Sequence, residues 1–170
     1  MELIKNNLCI RYATINDANI LCKWWNDGKI MIHAGFPNGI NTNVQKIIKQ
    51  ISEETNETIR RFIIEIDNEP SGEMNYKNKG NNIADIGIKI CVFNKQEKGY
   101  GTILLKMFID YLFNELEFKK ITLDTDNNNK RAQYVYEKIG FKKTAEISNT
   151  IYYEINKEEQ GMYKKSPTST

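Results

Sequence analysis

An α/β fold built on a mixed sheet is what this 170-residue sequence predicts, on three observations. Its middle carries short runs of β-branched and aromatic residues with period-two alternation, clearest in Ile86, Ile88, Ile90 and Val92. The period then turns helical and a further strand follows, so Ile83 to Asp124 reads as a βαβ step, which calls for a parallel crossover. The length suits one domain of about 100–200 residues, burying about 70% of its unfolded surface.

Taken in order, Leu8–Ala13 reads as a strand, and Thr14-Ile15-Asn16-Asp17 offers N-cap chemistry for a helix running to about Trp25, with Ala18, Leu21, Cys22 and Trp25 on one stripe. Residues 26–42 hold Gly28, Gly35, Pro37 and Gly39 and read as loop. Met31, Ile32, His33 and Phe36 make that loop unusually apolar, a candidate wall of a binding site. Asn43 starts a second helix, to Glu54, with Val44, Ile47, Ile48 and Ile51 at helical spacing. Strands follow over Arg60–Ile66 and Gly72–Tyr76, parted by the turn residues Asp67-Asn68-Glu69-Pro70, and then over Ile83–Phe93. Thr102–Leu116 is apolar almost all round apart from Lys106, Asp110 and Asn114, as a helix packed on most sides should be. Lys120–Asp124 reads as strand, Asn129–Ile139 as helix, and Phe141–Ile147 and Ile151–Ile155 as two closing strands. The order is β-α-α-β-β-β-α-β-α-β-β. It is expected to form one domain over residues 1–156, followed by a polar, frayed tail over 157–170.

Composition narrows the function. Lys and Arg number 24 against 22 Asp and Glu, a net charge of +2, which gives no general pull toward nucleic acid or an anionic membrane. An anionic ligand must therefore be held locally. No apolar run approaches the ~20 residues that span a bilayer, and Met1–Asn7 lacks a signal-peptide core. Cys9, Cys22 and Cys91 are odd in number, without C-x-x-C spacing and in apolar contexts, so they read as reduced thiols of a cytoplasmic protein. His33 is the single histidine, which leaves no His-rich metal site, and no metal is expected.

The most informative stretch is Gln96-Glu97-Lys98-Gly99-Tyr100-Gly101-Thr102, between a strong strand and a strong helix. Two glycines one residue apart let the backbone turn sharply and present successive N–H groups. The following helix adds its unpaired first-turn N–H groups and about half a positive charge. Together they suit a pyrophosphate. A P-loop would need Lys-Ser/Thr after its second glycine, and a dinucleotide fold would need a glycine where Leu104 stands, so both fail on spacing. A plain strand-to-helix turn fits the same glycines.

Here the sequence resembles the GNAT superfamily of acyl-CoA-dependent N-acetyltransferases. Their acetyl-CoA loop reads Gln or Arg, two residues, Gly, one residue, Gly or Ala, and residues 96–101 match every specified position. A second signature, N-x-R-A-x-x-x-Y-E-K-x-G-F, is met by Asn129, Arg131, Ala132, Tyr136, Glu137, Lys138, Gly140 and Phe141. The opening, Arg11-Tyr12-Ala13 through Asp17 to Trp24, is similar to the branch of ribosomal-protein N-terminal and aminoglycoside acetyltransferases.

The resemblance implies a centrally splayed mixed sheet with helices on both faces, and acetyl-CoA as acyl donor. Backbone N–H groups of Lys98, Gly99, Tyr100, Gly101 and Thr102 would bind the pyrophosphate. Cys91, Val92 and Phe93 would flank the pantetheine arm and lend an amide to the thioester carbonyl. Asn129 would reach the cofactor arm, Arg131 a cofactor phosphate and Tyr136 the thiol sulfur, with Gln96 completing the motif.

Direct acetyl transfer to an amine needs a base, because an ammonium of pKa ~10.4 is almost wholly protonated at neutral pH. It also needs a fixed amide for the oxyanion and an acid for the departing thiolate, for which a phenol of pKa ~10 is suited. Tyr136 fits the last role, although Ala132, Val135, Tyr136 and Ile139 also form a core stripe. Base candidates are Asp124 and Glu73, with Asp85 beside them; each also reads as an ordinary edge or turn carboxylate. Trp25, His33, Phe36 and Asp85 are expected to shape the acceptor pocket. The expected acceptor is a small-molecule or peptide amine, either a protein N-terminus or a polyamine-like amine, and the enzyme a monomer or homodimer. An aminoglycoside acceptor and a non-catalytic acyl-CoA-binding module are the alternatives.

Overall fold

The computed structural model describes residues 1–159. Eight strands form one sheet: β1 (Glu2–Lys5), β2 (Leu8–Tyr12), β3 (Ile59–Ile66), β4 (Glu69–Asn78), β5 (Ile83–Ile90), β6 (Lys120–Asp126), β7 (Lys142–Ile147) and β8 (Thr150–Asn156). Their spatial order is β1-β2-β3-β4-β5-β6-β8-β7. Every neighbouring pair is antiparallel except β5 and β6, the crossover expected from the βαβ step. The helices are α1 (Ala18–Trp25), α2 (Gly28–Met31), α3 (Val44–Glu53), α4 (Tyr100–Asn114) and α5 (Lys130–Ile139), with short 3-10 turns at Ile15–Asp17, Ile32–Ala34 and Phe93–Lys95.

Alternation along β3 sends successive side chains to two separate cores. Phe62, Ile64 and Ile66 meet Leu104, Phe108 and Leu112 of α4 on one face; Ile63 meets Leu21 and Trp25 of α1 and Ile47 of α3 on the other. Lys106, Asp110 and Asn114 are indeed the solvent-facing positions of α4. Asn43 caps α3 by accepting from the Lys46 N–H at 3.0 Å, as an N-cap asparagine should.

Several boundaries differ from expectation, each for a physical reason. β1 was not expected: its four residues, Glu-Leu-Ile-Lys, bury only Leu3 in part, so the strand rests on pairing with β2 rather than on an apolar pattern. The turn after β3 is only Asp67-Asn68, both at positive φ (58° and 64°), which leaves Glu69 and Pro70 inside β4. Pro70 is accommodated because the β3–β4 register shifts beside it. Residues 26–42 are not all loop but hold α2 and a 3-10 turn. They are pinned by reciprocal Asn26–Thr42 bonds of 2.8 and 2.9 Å, and by Gly28, where any Cβ would meet the Pro37 carbonyl at 2.0 Å. β5 ends at Ile90 rather than Phe93. Of the tail expected over 157–170, residues 157–159 are helical and the remainder lies outside the described residues.

Candidate active site

β5 and β6 are paired at only three rungs, Ile83–Lys120, Ala84–Ile121 and Asp85–Thr122, although β5 continues to Ile90 and β6 to Asp126. Beyond Asp85 the sheet is split. Cys91 N–H donates to the Ser71 carbonyl of β4 at 2.8 Å, which fixes the parity of the antiparallel ladder. By that alternation the N–H groups of Ile88 and Ile90 face away from β4 into the split.

That detail corrects one expectation. The amides of Cys91 and Val92 both donate to Ser71 O, at 2.8 and 3.2 Å, so they are already taken. Those of Ile88 and Ile90 are the strand amides that face the gap. Cys91 itself is buried, and burial above all, with the Glu73 charge second, pushes its thiol far above the ordinary range. It is inert as a nucleophile. Phe93 is exposed at the start of the following 3-10 turn.

The glycine loop closes one end of the split. Gly99 sits at φ 78° as the N-cap of α4, with no side-chain cap and open space where a Cβ would be. Its need for glycine is conformational. A Cβ at Gly101 would meet nothing nearer than Ile90 Cδ1 at 3.9 Å, so nothing in the chain itself demands glycine there; a ligand lying against the backbone would. The first-turn N–H groups of Tyr100, Gly101 and Thr102 have no intrahelical partner. Gln96 donates its amide N–H to the Ile90 carbonyl at 2.9 Å, tying the loop to the end of β5. Arg131 pairs with Glu97 at 3.2 Å and so joins the start of α5 to the loop. Lys98 stays exposed beside it. Open glycines, unpaired donors and surrounding cations fit a pyrophosphate.

Across the split stands α5. Asn129 caps it, accepting from the Ala132 N–H at 3.1 Å. Tyr136 is 8% exposed and packs on Phe141 and Tyr153, with ring centroids 6.0 and 5.8 Å away. Gly140 at φ 116° ends the helix and lets the Phe141 N–H reach back to the Tyr136 carbonyl at 3.0 Å. Burial, then the charge of Asp124, pushes the Tyr136 phenol up to about 12.

The polar residues of the opposite face lie in two groups. Asp85 accepts from Thr122 Oγ1 at 2.8 Å at the last rung, and Asp124 leaves the same face two residues further along β6. Burial first, then Asp85, raises the Asp124 carboxyl, with Lys77 opposing. Its surface is nevertheless solvent-accessible, so it is reachable by a substrate. The 3-10 turn Ile32–Ala34 packs on β6, the strand that carries Asp124, and exposed Ile32 and His33 with exposed Phe36 just beyond make that segment partly apolar.

About 13 Å along the strands from Asp85, by the usual strand rise, lies the second group, around Glu73. Its carboxylate is 2% exposed and accepts from Trp25 Nε1 at 2.8 Å and pairs with Lys89 at 3.0 Å. Arg61 lies 3.9 Å from its other oxygen, stacks 4.4 Å over the Trp25 ring and pairs with Glu54. Glu73 and Trp25 are therefore enclosed in a network tying α1 and α3 to the sheet, away from the acid pair. No local pattern of residues signals that network, because it depends on cross-strand register. A groove of about 1070 Å³, lined by Leu3, Met107, Tyr111 and Ile139 among others, touches the second signature only at Glu137, Lys138 and Gly140 and includes neither the glycine loop nor Asp85 or Asp124.

No group of three or more potential metal ligands occurs among the described residues, and no described helix is long and apolar enough to cross a membrane. Residues 7–142 match the family model for the acetyltransferase (GNAT) domain. Spermidine N(1)-acetyltransferase of Escherichia coli K12 is 33% identical over 95 residues, covering 55% of this chain and 50% of that protein. The chain thus spans about half the length of the curated relatives it matches. In architecture it is similar to aminoglycoside acetyltransferase AAC(6')-Ib in complex with ribostamycin and coenzyme A (TM-score 0.81, 22% identity, 95% of this chain and 100% of that one). It is also similar to spermidine N-acetyltransferase from Vibrio cholerae in complex with CoA and spermine (TM-score 0.80, 20% identity, 91% and 98%).

Proposed function

The chain belongs to the GNAT acetyltransferase family, and from that premise we propose that it is an acetyl-CoA-dependent N-acetyltransferase acting on a small cationic amine. The observation that carries this reading is the split between β5 and β6, with a pyrophosphate-type loop at one end and two carboxylates on its acceptor face. Bound acetyl-CoA supplies the thioester as the electrophile.

The residues then divide the work. The loop from Lys98 to Thr102 holds the anionic part of the donor, and an Ile88 or Ile90 N–H polarises the carbonyl from the free edge of β5. Asp85 attracts the ammonium group, while Asp124, whose carboxyl is raised, accepts its proton. That same event favours the next step: once Asp124 is protonated, the charge that helps hold the Tyr136 phenol up is gone. Tyr136 becomes the better donor to the leaving sulfur at the moment it is needed. The acid pair and the partly apolar segment at Ile32 and Phe36 suit an amine with a hydrocarbon spacer, such as a polyamine. Aminoglycosides remain the second reading, favoured by the fold likeness to AAC(6')-Ib and opposed by the few acids between residues 26 and 42. Three free cysteines fit a cytoplasmic location, and the enzyme acts as a monomer or homodimer.

The test is release of free thiol from acetyl-CoA with a panel of polyamines, aminoglycosides and N-terminal peptides. Polyamine turnover is expected, reduced by about 100-fold or more in Asp124→Asn, a loss in the range for general-base catalysis. Because the Asp124 carboxyl is raised, kcat/KM should fall, as pH drops, at a pH above the ordinary carboxylate range. Binding of CoA without turnover on any amine would instead make the chain an acyl-CoA-binding module.

A further inference from the structure

We propose that Thr122 is a positioning residue: its hydroxyl fixes the Asp85 carboxylate at the last β5–β6 rung, so that Asp85 holds the acceptor ammonium while Asp124 takes its proton. This rests on the acetyl-transfer reading and adds a residue that no signature contains.

The geometry is specific. Thr122 and Asp85 face one another where pairing stops, and the 2.8 Å bond from Thr122 Oγ1 occupies Asp85 Oδ1, leaving the other carboxylate oxygen to a ligand. The competing partner is close, because Lys77 stands directly opposite Asp85 on the other side of β5. An Asp85 carboxylate released from Thr122 could turn to that ammonium, and its charge would be lost both to the acceptor and to Asp124. The groups about Asp124 are Asp85 from β5, Lys77 from β4, Tyr152 opposite it on β8 and Tyr136 from α5, and the turn that packs on β6 carries His33. Burial raises the Asp124 carboxyl most, Asp85 raises it further and Lys77 lowers it, so the direction in which the Asp85 carboxylate points tunes Asp124 as a base.

Thr122→Val keeps the β-branched shape and removes only the hydroxyl. With spermidine as the probe amine, KM should rise about fivefold, the scale of one lost hydrogen bond. The acid limb of kcat/KM should also move to lower pH, as the Asp85 charge leaves Asp124. Thr122→Ser should restore both. In an Asp85→Asn background, Thr122→Val should change neither, because Thr122 acts through Asp85. An unchanged KM and pH profile, or an equal effect with and without Asp85, would overturn the assignment. Should Thr122→Val fail to fold, Thr122→Ala supplies the same comparison. Absence of wild-type turnover would sink the acetyl-transfer reading itself, whereas normal wild-type turnover with an unaltered Thr122→Val sinks only the role of Thr122.

Discussion

Tyr136 shows how one side chain serves packing and chemistry together. Its ring is fixed between Phe141 and Tyr153, and its phenol, pushed up to about 12, keeps its proton throughout the neutral range. Tyr136→Phe preserves the ring contacts and removes only the hydroxyl. Thiol release should therefore slow about tenfold or more, with the melting temperature little changed; an unaltered rate would leave Tyr136 as a core residue alone. Residues of this kind are legible in sequence when a spaced signature surrounds them, as Asn129 to Phe141 surrounds Tyr136. The separate fates of Glu73 and Asp124 are not. Both are strand acids, and only the register that sets Lys89 and Trp25 around one and leaves the other at the surface tells them apart.

Among the elements, the passage from β2 into α1 is held by charge. Asp17 closes a capping box with Thr14 and takes two guanidinium bonds of 2.9 Å from Arg11, which also reaches Glu65 at 2.7 Å. Burial pushes the Asp17 carboxyl up, but the Arg11 bonds and the Thr14 amide outweigh it and hold it below the usual carboxylate value of 3.8. A depressed folded value contributes stability above the unfolded value and loses it as pH falls through the folded one. Asp17→Asn should thus cost about 1–3 kcal/mol at pH 7, a cost that shrinks below about pH 4, measured by urea unfolding across that range. A cost independent of pH would remove the charge from this account. The cap material from Thr14 to Asp17 was readable because capping is local, and the Gly99 turn because glycine tolerates positive φ. β1 and the extension of β4 through Pro70 were not, since a neighbouring strand supplies what their own sequences lack.

At the scale of the whole molecule, the alternation of strands and helices made the fold class and the parallel crossover readable. Nothing in the side-chain pattern marks Asp85–Thr122 as the last rung, because β5 and β6 both continue as strands past it. The split is a property of where backbone pairing stops. A donor bridging the two strands should stabilise the native state by RT ln(1 + [L]/Kd), about 2.7 kcal/mol at a hundredfold excess over Kd. For a chain of this size that is about 5–10 °C in Tm, readable by differential scanning with CoA. No upward shift would refute the pyrophosphate role of the loop.

Three rungs joining β5 to β6 also have a mechanical meaning. They act as the pivot of a clothes-peg, with the diverging strand ends as jaws whose opening is fixed by where the last rung falls. An insertion that added a rung would narrow the bite and shut out a pantetheine-sized guest, while leaving every signature residue in place. The reach of this fold toward its donor is therefore written in a backbone count rather than in any side chain.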